Sequence, residues 1–178
     1  MSQMVSYYDM YNKEKQTEVV AALSRQHLTI AAAESCTGGL IAARLTDVPG
    51  ASAVFHCGIV SYSNEMKIAI LGVKPETIQN FSAVSAETAT EMAAGVRRIS
   101  GADIAVAVTG NAGPEPSEGK PVGEVFISVI SGWHQETVRL NDRPTGGNSG
   151  KIREQIRFLA SEKAFDMVLE TLRMREGI

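Results

Sequence analysis

Two short apolar runs limit what this chain can fold into. Residues 28–33 (LTIAAA) and 103–108 (DIAVAV) each break at once into a loop of small and hydroxylated residues, 34–39 (ESCTGG) and 109–114 (TGNAGP). Apolar runs this short, bounded by turn signals, read as buried strands. Helical patterns lie between and around them. Val19, Val20 and Leu23 mark a helix over about 13–26, and Leu40, Ile41, Arg44 and Leu45 mark a second that ends before Pro49-Gly50. Residues 53–62 (AVFHCGIVSY) are β-branched and aromatic enough for a strand. Asn64 is placed to cap a short helix over 65–71 that Gly72 stops, and Pro75 opens another. Ser85 caps a longer helix with apolar positions at Ala89, Met92, Ala93, Val96 and Ile99, ended by Gly101. Residues 122–130 and 136–140 form a hairpin, 141–150 a loop, and 151–174 a final helix with Ile152, Ile156, Leu159 and Val168 facing the core. Strands alternating with helices, followed by an antiparallel hairpin, predict an α/β fold: a three-layer α/β/α domain on a mixed sheet. Residues 1–12 read as a loose N-terminal arm and 13–178 as a single domain.

In such sheets ligands bind beyond the carboxyl ends of the strands. Loops 34–39 and 109–114 are therefore the first places to look for chemistry. Composition narrows the partners. With 17 basic and 20 acidic residues the net charge is -3, which argues against nucleic acid or an anionic membrane as the main partner. Two cysteines, Cys36 and Cys57, make neither a disulfide framework nor a zinc pattern, so a reducing cytoplasm is expected and no metal site is. No apolar run approaches the roughly 18 residues of a membrane span, and residues 1–15 lack the pattern of a signal peptide.

Ser35 lies between a strand and a helix start. N–H groups of Thr37, Gly38 and Gly39 at that start suit either a nucleophile beside an oxyanion hole or a phosphate cradle. The same spacing equally fits Ser35 or Thr37 as a plain N-cap. Cys36 is an alternative nucleophile at the helix start, or a small buried packing residue. A serine needs a base. His27, His56 and His134 precede a strand, sit within one and occupy a turn, so a Ser-His-Asp triad is not supported. Lys67, among Met66, Ile68 and Ile70, reads either as a base with its pKa lowered by desolvation or as a solvated surface lysine. Residues 145–151 (TGGNSGK) look like a phosphate-binding P-loop, but Thr145 and Ile152 stand where its first Gly and its Ser or Thr belong. A loop before a helix is the better reading.

Taken together, the motifs AAAESCTGGLIAARLTDVPGAS (31–52), VSYSNEMKIAILGV (60–73), AVSAETATEMAAG (83–95), DIAVAVTGNAGP (103–114) and KPVGEVFISV (120–129) resemble the C-terminal domain family of the competence/damage-inducible protein CinA, also known as nicotinamide-nucleotide amidohydrolase. The resemblance runs over about residues 15–175. It implies hydrolysis of the carboxamide of nicotinamide mononucleotide to nicotinate mononucleotide and ammonia, without metal or organic cofactor, by a homo-oligomer. Carried over to this chain, it makes Ser35 the nucleophile and Lys67 its general base. Tyr62 and Thr109 would hold and polarise the substrate beside Gly110, and Arg143 or Arg153 would bind the phosphate. The same motifs are compatible with a non-catalytic nucleotide-binding or interaction module, and with an amidase for another small amide. Two stretches depart from the family pattern. Asn111 replaces an apolar residue in a turn stiffened by Pro116, and eight residues (PTGGNSGK) separate Arg143 from Ile152-Arg153, more than the family has.

Overall fold

A computed structural model of the protein describes residues 14–141, 144 and 148–177. The expected N-terminal arm and Arg143 lie outside the described residues. Among the described residues five strands form one mixed sheet: β1 (Ile30–Glu34), β2 (Phe55–Val60), β3 (Ile104–Gly110), β4 (Val125–Ile130) and β5 (Gln135–Arg139), in the order β2-β1-β3-β4-β5. β1 runs parallel to β2 and β3, while β4 and β5 complete the sheet as the expected antiparallel hairpin.

The period-two alternation of the central strands sorts their side chains by size. Ile30, Ala32, Ile104, Val106 and Val108 share one core with α1 (Glu14–Gln26), α2 (Leu40–Thr46) and α6 (Ser149–Glu176). Ala31, Ala33, Ala105 and Ala107 share the other with α5 (Ala86–Ser100) and with Ile78 of α4 (Pro75–Phe81). The second face is thus paved with alanine where α5 crosses it, and a small residue at each position lets that helix sit close. Helices on both faces of the mixed sheet give the three layers that the alternation of elements predicts.

Several boundaries shift. Residues 51–53 form a 3₁₀ turn, so β2 is shorter than the apolar run. α6 starts at Ser149, capped by Asn148, whose side chain accepts from the Lys151 N–H at 3.0 Å. Ile99, expected on the core face of α5, is 46% exposed. The short helix after β2 is α3 (Asn64–Met66); its cap is Ser63 rather than Asn64, because the Ser63 hydroxyl accepts from the Met66 N–H at 3.3 Å. α3 then widens into a π turn over Lys67–Leu71, closed by Gly72 in the left-handed region.

The crossovers set up the site. After β1 the chain leaves toward α2 on one face; after β2 it leaves toward α3 on the other. Adjacent parallel strands whose loops part to opposite faces open a crevice at their carboxyl ends. Hydrogen bonds hold those ends side by side: Ser35 N–H to the Val108 carbonyl at 2.9 Å, and Ser61 N–H to the Glu34 carbonyl at 2.9 Å. Among the described residues no helix is long and apolar enough to cross a membrane.

Candidate active site

A cleft of about 360 Å³ opens over these strand ends. Its volume lies in the range of small-molecule sites, about 300–1,000 Å³. Ser35, Cys36, Tyr62, Lys67, Thr109, Gly110 and Arg153 line it, together with residues 111–118. None of the three histidines does.

At its floor the Lys67 Nζ lies 3.0 Å from the Ser35 Oγ, 3.0 Å from the Ser61 carbonyl oxygen and 3.2 Å from that of Tyr62. Lys67 is 1% exposed, so the surface reading of this lysine is corrected. Its burial holds the amine below its ordinary value, against the opposing pull of Cys36, Glu118 and Glu65. The three partners define what each protonation state does. An ammonium donates to all three. A free amine has two N–H bonds and one lone pair; carbonyls only accept, so the N–H bonds go to Ser61 and Tyr62 and the lone pair faces the serine hydroxyl. That is the geometry of a general base already aimed at a nucleophile.

The helix start behaves differently from the sequence expectation. Neither Ser35 nor Thr37 caps α2: its N-cap is Gly39 at φ 94°, with no side-chain cap. The job falls to Glu34, 1% exposed, whose carboxylate accepts the N–H groups of Gly39, Ile41 and Ala42 at 3.0, 3.1 and 2.9 Å. The Gly38 N–H turns back to the Ser35 carbonyl at 3.0 Å. Gly38 and Gly39 therefore offer no donors to a ligand, and Thr37, Gly38 and Gly39 do not line the cleft. Thr37 is fully buried; its carbonyl accepts from the Arg157 Nη2 at 2.7 Å, and its hydroxyl has no partner among the described residues. The N–H of Cys36 meets no backbone or side-chain oxygen among the described residues, and Cys36 does line the cleft. Its thiol is buried, which pushes its pKa up to about 12 and leaves it protonated, so Cys36 fits the packing reading and not the nucleophile one.

Tyr62 and Arg153 meet at the cleft mouth. The Arg153 Nη2 donates to the Tyr62 hydroxyl at 2.9 Å and its Nη1 to the Gly113 carbonyl. The Thr109 hydroxyl, deeper, donates to the Ala83 carbonyl at 2.7 Å. Asn111 anchors the loop above them. Its Nδ2 donates to the Glu115 and Lys120 carbonyls at 3.0 and 3.1 Å, and its Oδ1 accepts the Gly113 N–H at 2.8 Å. Glu118 latches the same loop across the cleft, accepting from the Ser82 Oγ at 2.7 Å, the Ala83 N–H at 3.1 Å and the Asn64 Nδ2 at 3.2 Å. The Ser82 hydrogen bond comes first among the contacts that hold its carboxyl below the ordinary range.

The CinA C-terminal domain profile matches residues 12–172. The chain belongs to the CinA C-terminal domain family. It is 52% identical over 159 residues to a putative competence-damage inducible protein of Acetivibrio thermocellus, covering 88% of this chain and 37% of the relative. It is 44% identical over 169 residues to a CinA-like protein of Fervidobacterium nodosum, covering 92% and 38%. The chain thus spans under two-fifths of the length of these curated relatives. The crystal structure of the competence/damage inducible protein CihA from Agrobacterium tumefaciens superposes with a TM-score of 0.82 at 38% identity, covering 90% of this chain and 94% of that one. Competence damage-inducible protein A (ComA) from Klebsiella pneumoniae does so with 0.80 at 35%, covering 92% and 98%.

Glu34, Glu118 and Arg157 were not singled out by the sequence motifs. Glu34 carried a usable signal, an acid at a strand end five residues before a helix start. Arg157 repeats the Ile-Arg pair of 152–153 one turn later on α6. Glu118 had none, since its role depends on where the loop returns.

Proposed function

We propose that this chain hydrolyses a carboxamide by a Ser/Lys mechanism, with nicotinamide mononucleotide as its substrate. The observation that carries the reading is the 3.0 Å contact between the buried Lys67 amine and the Ser35 hydroxyl, with two carbonyls taking the remaining N–H bonds. Neutral Lys67 takes the serine proton as Oγ attacks the amide carbon. In this reading the Cys36 N–H meets the oxyanion, as the residue after a nucleophile often does. Lys67 returns the proton to the leaving nitrogen, ammonia departs, and a water activated by the same amine hydrolyses the ester and frees Ser35. Tyr62 and Thr109 line the cleft beside the serine, and in this reading Arg153, at the mouth, exchanges its bonds to Tyr62 and Gly113 for the substrate's phosphate.

The Ser35→Ala variant should keep the fold and lose ammonia release by at least about 10³-fold, and Lys67→Met should lose about as much, because the two act as a unit. Ammonia release and product identity with nicotinamide mononucleotide, nicotinamide and related amides test the reading. Full activity of Ser35→Ala overturns the nucleophile. One observation favours a second reading, an amidase for an uncharged amide: Glu115 and Glu118 line the cleft alongside Lys67 and Arg153, so among the described residues the lining carries as many acidic as basic groups. Turnover of such an amide with none of the mononucleotide decides for it.

A further inference from the structure

The turn that carries Lys67 rests on α5 at an unusually close contact. A Cβ built on Gly95 would lie 2.0 Å from the Leu71 carbonyl oxygen, 2.8 Å from its carbonyl carbon and 3.0 Å from its Cα. All three are backbone atoms, so no rotamer change makes room. Glycine inside a helix is weaker than alanine, and α5 has alanine at 93 and 94, so helix stability alone would favour a third. Something other than the helix calls for the missing side chain.

Leu71 is the last residue of the π turn and Lys67 the first. The turn is closed on itself: the Gly72 N–H donates to the carbonyls of Ile68 and Lys67, and the Val73 N–H to that of Lys67 at 3.2 Å. Leu71 and Val73 are buried in the core shared by Met92, Ala93 and the alanine face. The turn therefore moves as one hydrogen-bonded piece, with the amine at one end and the Gly95 contact at the other. Single π turns inside helices often mark functional sites.

We propose that Gly95 is a positioning residue for Lys67: its bare Cα sets the depth at which the turn docks on α5, and through that the approach of the amine to Ser35. A Cβ at 95 drives the Leu71 carbonyl outward by an ångström or so to reach contact distance, and misplacement on that scale costs a catalytic pair about 10²-fold. Outward movement also hydrates the amine. Arg98, whose Nη2 donates to the same Leu71 carbonyl at 3.3 Å, supports the dock from beside it.

The inference rests on Lys67 acting as the base of Ser35, so the test must separate the two. The second-order rate at which a fluorophosphonate labels Ser35, followed against pH, reads the pair without any substrate being known. The charged or titratable groups that bear on the lysine are Cys36 from the loop after β1, Glu65 from α3 and Glu118 from loop 111–120, and all stay in place in the variants used. Gly95→Ala is expected to fold, to label at least about tenfold more slowly, and to shift the acid limb of the profile to higher pH. Ala94→Gly, which weakens the exposed side of α5 without touching Leu71, is expected to label as wild type. A folded Gly95→Ala with the wild-type profile overturns the proposal, as does an equal shift in Ala94→Gly. If Gly95→Ala does not fold, Arg98→Ala decides: a smaller shift of the limb in the same direction supports the dock, and an unmoved limb overturns it. Wild-type labelling by Lys67→Met instead removes the base itself, and this proposal with it.

Discussion

The loops after β1 and β3 leave adjacent strands and face each other across the cleft, yet they are fastened in opposite ways. Residues 35–39 are held from beneath. The buried Glu34 carboxylate takes three N–H groups of the following helix, Arg157 takes the Thr37 carbonyl, and Ser35 is tied to Val108. Residues 111–120 are tied to themselves by the buried Asn111 and fastened to the rest of the protein from above, by the half-buried Arg153 on Gly113 and the exposed Glu118 on Ser82, Ala83 and Asn64. Buried charge-assisted hydrogen bonds are expensive to break; exposed ones open easily. The nucleophile thus stands on a fixed wall, and the wall that would meet the rest of a ligand is free to adjust.

The largest effect that tests this contrast is at Glu34. Removing the carboxylate in Glu34→Ala leaves three helix N–H groups without their acceptor inside the protein, and should cost about 3–5 kcal/mol in urea unfolding. Glu34→Gln keeps one acceptor oxygen and should cost about half of that. If Glu34→Ala unfolds no more easily than Glu118→Ala, the contrast between the walls is gone.

A second test concerns Lys67, which reaches across to the fixed wall. Burial lowers its native pKa, so the unfolded chain binds the extra proton between that value and the ordinary 10.5. Wild-type stability should therefore rise relative to Lys67→Met as the pH climbs toward 10.5, and be flat above it. Urea midpoints at a series of pH values check this, and a gap between the two proteins that does not change with pH removes the buried-amine account.

The smallest effect is at Glu118. Glu118→Gln should change stability by less than about 1 kcal/mol, since the residue is exposed. It should speed hydrogen exchange in residues 111–120 and alter KM more than kcat. Because the native carboxyl is held low, the latch is fully present above the ordinary glutamate value of 4.5 and is lost as the pH falls through the lower native one. Exchange in that loop should accelerate in acid, and residues 35–39 should not follow.

The sheet was legible because its signals are local. LTIAAA and DIAVAV are short apolar runs with immediate loop residues, and Gly72, Ser85 and Gly101 stop or cap helices where expected. What failed was competition between near-equal local partners. Ser63 and Asn64 are both good caps, and Ser35, Thr37 and Glu34 all lie within reach of one helix start; burial of the carboxylate decided the second contest. The π turn was not legible, because KIAIL suits an ordinary helix and the extra residue shows only when Leu71 is docked against α5. Motif resemblance brought Ser35, Lys67, Tyr62, Thr109 and Arg153 to one list, and the structure brings them to one cleft. Thr37, Gly38 and Gly39 do not line that cleft: Glu34 takes the Gly39 N–H, the Ser35 carbonyl takes the Gly38 N–H, and Thr37 is buried.

The parting of the β1 and β2 crossovers has a mechanical consequence. The serine belongs to the strand end backed by α2 and α6, and the lysine to a turn riding on α5, so the two reacting atoms are carried by different layers. Their separation is a gauge of how the layers sit on the sheet. Slippage between layers too small to expose the core is enough to part a pair set at 3.0 Å. On gradual heating, labelling of Ser35 should fail several degrees before circular dichroism reports any loss of helix.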